Sequence, residues 1–143
     1  MSKDAHVVIL EVLCTTEQRA RLVAQATAAL QALGDGAEDQ VGRWVTTGIR
    51  LREPRDDAER HWLIESLTQP DDPLAMERRP MVLEIGGRGS EPSAEAASDA
   101  VRHALCPDDF HPGPCDVPWG SRTVALREER RREKSFYRDL FPG

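Results

Sequence analysis

The order of elements in the sequence is that of an α+β protein in which two β-α-β-α units follow one another. Three observations carry this reading. Short β-branched and leucine-rich runs alternate with stretches of helical spacing. The run Val8-Ile9-Leu10-Glu11-Val12 is paralleled by Met81-Val82-Leu83-Glu84-Ile85. Further on, Trp44, Ile49, Leu51-Arg52-Glu53 and Arg55 match Trp119, Val124, Leu126-Arg127-Glu128 and Arg130 at one constant offset. Two aligned blocks in the same order point to a duplication, with pseudo-repeats at 1–70 and 76–143 of a single domain. Two β-α-β units in one chain, joined by right-handed crossovers, give a ferredoxin-like four-stranded antiparallel sheet with helices packed on it.

The first unit opens with His6 to Leu13, a buried strand by composition. Thr15 and Gln18 stand at the spacing of a capping box, and Leu22, Ala26, Ala29, Leu30 and Leu33 follow at helical intervals. Gly34 is expected to end this helix in a left-handed residue. Val41 to Arg52 reads as a long strand, with Ile49 and Leu51 on one face and Arg50 and Arg52 on the other. Pro54 closes it. Asp56 caps a helix running through Gln69, with Trp62, Leu63 and Leu67 as its buried stripe. Pro70 to Pro73 is a loop between the halves.

The second unit repeats the order. Met81 to Ile85 is a strand, Gly86 to Ser90 a turn, and Ala94 to Leu105 an alanine-rich helix. A proline-rich loop, 107–118, leads to a strand over Thr123 to Arg127. The final charged helix carries Phe136, Tyr137, Leu140 and Phe141 on or near its apolar side. The helix after each second strand is a decoration on the four-stranded plan, expected to cover a sheet edge or to build a dimer contact.

The stretch Thr16-Glu17-Gln18-Arg19-Ala20-Arg21-Leu22-Val23 is similar to the opening helix of the tautomerase superfamily, which also pairs two β-α-β units. That resemblance spans one strand and one helix. It implies a catalytic proline with a free amine exposed after methionine removal. Here Ser2 follows Met1 and Pro80 is internal, so the activity does not carry over.

Composition bounds the rest. The chain has 143 residues, 39% hydrophobic and 31% charged, and a net charge of −6, which argues against nucleic acid and against an anionic membrane surface. The basic residues from Arg127 to Arg132 interleave with Glu128 and Glu129, the pattern of a solvated helix face. The longest apolar run, Val7 to Leu10, is far too short to span a bilayer, and the N-terminus lacks the apolar core of a signal peptide. Three cysteines are too few for a disulfide framework, so a reducing cytoplasm is expected.

Five groups of residues could carry chemistry. His103, Cys106, His111 and Cys115 form an H-x2-C-x4-H-x3-C run that approaches a zinc knuckle, although no CxxC pair is present and three prolines stiffen the loop. No other cofactor is suggested. Glu11 and Glu84 fall on the two central strands, where both carboxylates can share a face with Arg50, Arg52 and Arg127. Such a face binds a polar ligand or performs acid–base chemistry when it is not simply salt-bridged. Cys14 stands between a strand and a helix N-terminus, where a dipole lowers a thiol pKa, but a buried structural thiol is the commoner outcome. Trp44 and Trp119 occupy equivalent places and either flank a ligand or pack the strand ends. The Gly86–Ser90 turn offers an anion cradle, though Pro92 replaces the third glycine of the dinucleotide fingerprint.

No complete set of nucleophile, base and orienting group is present. The expected function is therefore a non-enzymatic binding module that engages a protein partner or a small polar ligand. The alternative is a small acid–base enzyme built on the paired glutamates, with the 107–118 loop as its lid. A homodimer is compatible with either.

Overall fold

The computed structural model describes residues 4–36, 44–106 and 117–142. Within them, β1 (Ala5–Cys14), α1 (Thr16–Gly36), β2 (Val45–Arg52) and α2 (Asp57–Leu67) are followed by β3 (Arg79–Arg88), α3 (Glu91–Leu105), β4 (Trp119–Ala125) and α4 (Arg131–Phe136). Single 3-10 turns lie at Ala75–Glu77, Leu126–Glu128 and Arg138–Leu140. The four strands form one antiparallel sheet in the order β2-β3-β1-β4, the ferredoxin-like arrangement of an α+β fold. No helix among the described residues is long and apolar enough to cross a membrane.

The local signals act as their chemistry dictates. Thr15 and Gln18 close a reciprocal capping box: the Thr15 N–H donates to Gln18 Oε1 at 3.0 Å and the Gln18 N–H to Thr15 Oγ1 at 3.2 Å. Asp56 caps α2 by accepting from the Glu59 N–H at 2.8 Å. Ser90 caps α3 by accepting from the Ser93 N–H at 3.2 Å. Several element boundaries shift. α1 runs past Gly34 to Gly36, α2 stops at Leu67, and α4 stops at Phe136, so that Leu140 falls in a 3-10 turn and Tyr137 and Phe141 flank it; β2 begins at Val45, while 41–43 of the expected strand lie outside the described residues. β4 begins four residues earlier than its sequence suggests, because Trp119 to Arg122 pair along β1.

The largest correction concerns Gly86-Gly87-Arg88. These residues are not a turn; they extend β3, pairing with β1 as far as Ala5. Their small size serves packing. A Cβ on Gly87 would fall 2.0 Å from Trp44 Cζ2, so the buried indole lies flat on the strand where a side chain would otherwise stand. A Cβ on Gly86 would fall 2.7 Å from that of Leu140.

Both faces of the sheet are covered. Val8, Leu10, Val12, Met81, Leu83 and Ile85 point to one side, where Leu22, Ala26 and Leu30 of α1 and Ala94, Ala97 and Val101 of α3 close over them. Val7, Ile9 and Val82 point to the other side. There Leu63 of α2 and Tyr137 and Leu140 of the C-terminal segment form a second, smaller core. The decorating helices therefore cover a sheet face rather than an edge. Within α2, Leu63 is buried, but Trp62 is 56% exposed, because residues adjacent in a helix lie about 100° apart around its axis.

Candidate functional site

The second face is where charge is buried, and strand register explains how. Across the sheet, Arg50 stands opposite Glu84 and Arg52 opposite Val82. Glu84 in turn stands opposite Ile9, and Val82 opposite Glu11. On the far side, Ile9 meets Arg122 and Glu11 meets Gly120. The two glutamates share this face as their alternation requires, yet their surroundings differ completely.

Glu84 is fully buried, and both its oxygens are occupied. Arg50 Nη2 lies 2.6 Å and Nε 2.8 Å from Oε1, while Arg52 Nε donates to Oε2 at 3.0 Å. Arg52 also reaches Glu59 of α2 through Nη1 at 2.9 Å, and Glu59 accepts from the Arg55 N–H at 2.8 Å. These contacts hold the Glu59 carboxyl below its ordinary pKa against the opposing effect of burial. Arg55 grips Glu133 with two bonds of 3.1 Å, a bidentate pair that lowers the Glu133 pKa in its turn.

Phe136 is the platform for this arginine layer. The guanidinium carbons of Arg55, Arg50 and Arg52 lie 3.4, 4.7 and 5.2 Å from its ring centre, and Arg50 also donates to its carbonyl at 3.2 Å. The phenol of Tyr137, edge-on to Phe136 with 5.2 Å between ring centres, is pushed up in pKa by burial and by the Glu84 charge.

Glu11 has none of this. It is 8% exposed and makes no hydrogen bond or ion pair among the described residues. Every completely buried side-chain nitrogen or oxygen among those residues has a partner, so the Glu11 oxygens keep contact with solvent. Burial raises its pKa; Arg122 and Arg52 pull it down and Glu59 pushes it further up. Beside it, Gly120 contributes no side chain. A Cβ there would meet only Leu67 Cδ2, at 3.6 Å, among the described atoms. The register thus sets on one face the Glu11 carboxyl, the bare position at Gly120 with Leu67 Cδ2 beside it, and the exposed Arg122; we call this the Glu11 notch.

The other sequence candidates lie elsewhere. Trp44 and Trp119 belong to the opposite face: Trp44 is buried and donates from Nε1 to Thr46 Oγ1 at 2.9 Å, and Trp119 packs at the margin of that core under Arg102, 5.5 Å away. Arg127 lies beyond the end of β4, 66% exposed, paired with Asp4 at 2.8 Å. Cys14 is buried at the end of β1, where its thiol faces the Arg79 carbonyl at 3.8 Å; burial pushes its pKa up, outweighing Arg19 and Arg78. The lowering expected from a helix N-terminus is therefore not what the thiol experiences.

His103 Nδ1 lies 2.8 Å from the Asp99 carbonyl and Cys106 is the buried residue that ends α3, while His111 and Cys115, with most of the 107–118 loop, fall outside the described residues. Among the described residues no group of three or more His, Cys, Asp or Glu side chains is placed to hold a metal ion.

Sequence reasoning overlooked Arg122, Gly120, Glu59 and the Phe136 platform. Arg122 was within reach, since it alternates with Val124 along β4, but only once that strand is started at Trp119. Comparison with protein-family models, with curated proteins and with solved structures finds no match to this chain.

Proposed function

We propose that the protein is a non-enzymatic binding module whose ligand, a small polar molecule, is held at the Glu11 notch. One observation carries this reading: a glutamate more than nine-tenths buried, whose carboxyl meets solvent but no partner among the described residues, beside a position that lacks a side chain. A carboxyl sunk among apolar neighbours yet open to solvent and without a protein partner is one that a ligand can reach, and clefts that hold such groups are where binding sites form. Its sister residue supplies the contrast. Glu84 has two guanidiniums on its oxygens and offers a ligand nothing.

The same contrast weighs against acid–base catalysis by the two glutamates, which needs both carboxyls open to substrate. A protein partner, or a second copy of this chain, is better served by the outer side of α2, where Trp62 and Ile64 are 56% and 41% exposed. Sedimentation of the wild type beside Trp62→Ser tests that contact. Cys14 and Cys106 are buried and outside any disulfide, which suits a reducing cytoplasm.

The binding reading is tested by titrating the 15N-labelled full chain with small carboxylates, amines, zwitterions, polyols and nucleosides. Saturable shifts are expected at the amides of Glu11, Gly120 and Arg122, and they vanish in Gly120→Leu, which fills the notch. Amides that stay still throughout the panel, or shifts that persist unchanged in Gly120→Leu, overturn it.

A further inference from the structure

The notch presents two opposite charges to whatever enters it. Glu11 faces it from β1. Arg122 stands two residues along β4 from Gly120 on the same face, which makes it the diagonal neighbour of Glu11, within reach of a long side chain. Like Glu11, Arg122 makes no ion pair or hydrogen bond among the described residues. The other charges that face Glu11 are already engaged: Arg52 of β2 is held by Glu84 and Glu59, and Glu59 of α2 by Arg52 and the Arg55 N–H. From β3 the residue opposite is Val82, which is apolar.

A simple anion in the notch satisfies Arg122 but faces the carboxylate of Glu11. A simple cation does the reverse. A ligand that carries both charges on one carbon meets both groups at once. We infer that the notch binds a free α-amino acid, its ammonium on Glu11 and its carboxylate on Arg122, with the side chain against Leu67. This rests on the reading of Glu11 as a ligand-binding group and adds the class of ligand.

The chemistry suits each end. An ammonium has three donors to give a carboxylate whose oxygens lack protein partners. A guanidinium takes a carboxylate through two parallel N–H bonds. Leu67 Cδ2, 3.6 Å from where a Cβ on Gly120 would stand, offers an apolar contact to the ligand's side chain, and Gly120 has no left-handed φ, so a side chain added there is not strained by its backbone. Both charges of the ligand leave water together, so neither is buried alone.

The test uses L-leucine, N-acetyl-L-leucine and L-leucinamide with the 15N-labelled full chain and reads the amides of Glu11, Gly120 and Arg122. Leucine is expected to titrate them, with N-acetyl-leucine and leucinamide at least tenfold weaker, since each lacks one charge. Glu11→Gln and Arg122→Gln should each weaken leucine tenfold or more, and Gly120→Leu should abolish the shifts while the rest of the spectrum stays in place. Equal binding of the two derivatives at the notch overturns the zwitterion and leaves the binding module standing. So does an inert leucine beside another polar compound that titrates the same amides. If nothing in either panel moves them, both readings fall.

Discussion

Arg50 stands directly opposite Glu84 across the β2–β3 ladder, and its Nη2 lies 2.6 Å from the carboxylate. With Arg52 on the other oxygen and Phe136 stacked beneath both guanidiniums, the pair locks β2, β3 and the C-terminal segment together. Glu84→Gln removes the charge that holds two arginines in place. Because Arg50 and Arg52 keep 25% and 14% of their side-chain exposure, they are partly solvated and the loss falls at the low end for a broken buried pair. Urea unfolding should show about 3 kcal/mol. A change under about 1 kcal/mol would place the pair among ordinary surface bridges.

Glu11 should behave in the opposite sense. Its pKa is raised in the folded protein, so the folded state binds a proton more readily than the unfolded chain. The sign follows from linkage: no penalty exists below the ordinary value of 4.5, and stability is lost as pH rises through it toward the folded pKa. Glu11→Gln is expected to stabilise the protein at pH 7 by up to about 1 kcal/mol, since the amide has no charge to desolvate. That gain should shrink to nothing in acid. Unfolding curves of both proteins across pH decide it, and a pH-independent difference would contradict the account.

The C-terminal segment lies on the second face by close approach to two glycines. A Cβ on Gly48 would fall 2.7 Å from the Leu140 carbonyl, and one on Gly86 just as close to the Leu140 Cβ. Thr47, the extra residue at the bulge in β2, donates from its hydroxyl to the Leu140 carbonyl at 2.7 Å. Gly86→Ala should therefore force Leu140 outward, at about 1–3 kcal/mol. Carboxypeptidase digestion should quicken in this variant, with Tyr137 and the arginine layer uncovered. Wild-type resistance and stability in Gly86→Ala would show that Leu140 moves aside freely.

The loop between the halves is pinned by a shielded ion pair. Arg78 Nε lies 2.6 Å from Asp72 Oδ2, with side-chain exposures of 3% and 2%, and Arg78 Nη1 donates to Gln18 Oε1 at 2.9 Å. The guanidinium holds the Asp72 carboxyl below its ordinary value of 3.8, so the contribution is present above that pH and lost as pH falls below it. Asp72→Asn should cost about 2 kcal/mol at pH 7, the scale of hydrogen bonds to charged groups. The difference from wild type should close in acid, the reverse of the trend at Glu11. Unfolding at both pH values tests the pair.

The capping residues and the alternation along β1, β2 and β3 were legible in the sequence because they depend on near neighbours. Thr15 meets Gln18 across one turn, and a two-residue period alone puts Glu11 and Glu84 on one face. The strand order followed from two β-α-β units and right-handed crossovers. Trp62 was misplaced because a helix with one buried leucine has no wide apolar stripe to read.

What the sequence could not decide is which glutamate is silenced. Glu11 and Glu84 sit in matching strings, one in each central strand, and nothing local distinguishes them. The tertiary register does: it sets Arg50 opposite Glu84 and Gly120 opposite Glu11, and it brings Phe136 from the far end of the chain to stack the arginines. Propensity and periodicity choose the face on which a side chain stands, since they act within a few residues. Only pairing between distant segments chooses its neighbours, and with a buried carboxyl the neighbours determine whether it is a strut or a site.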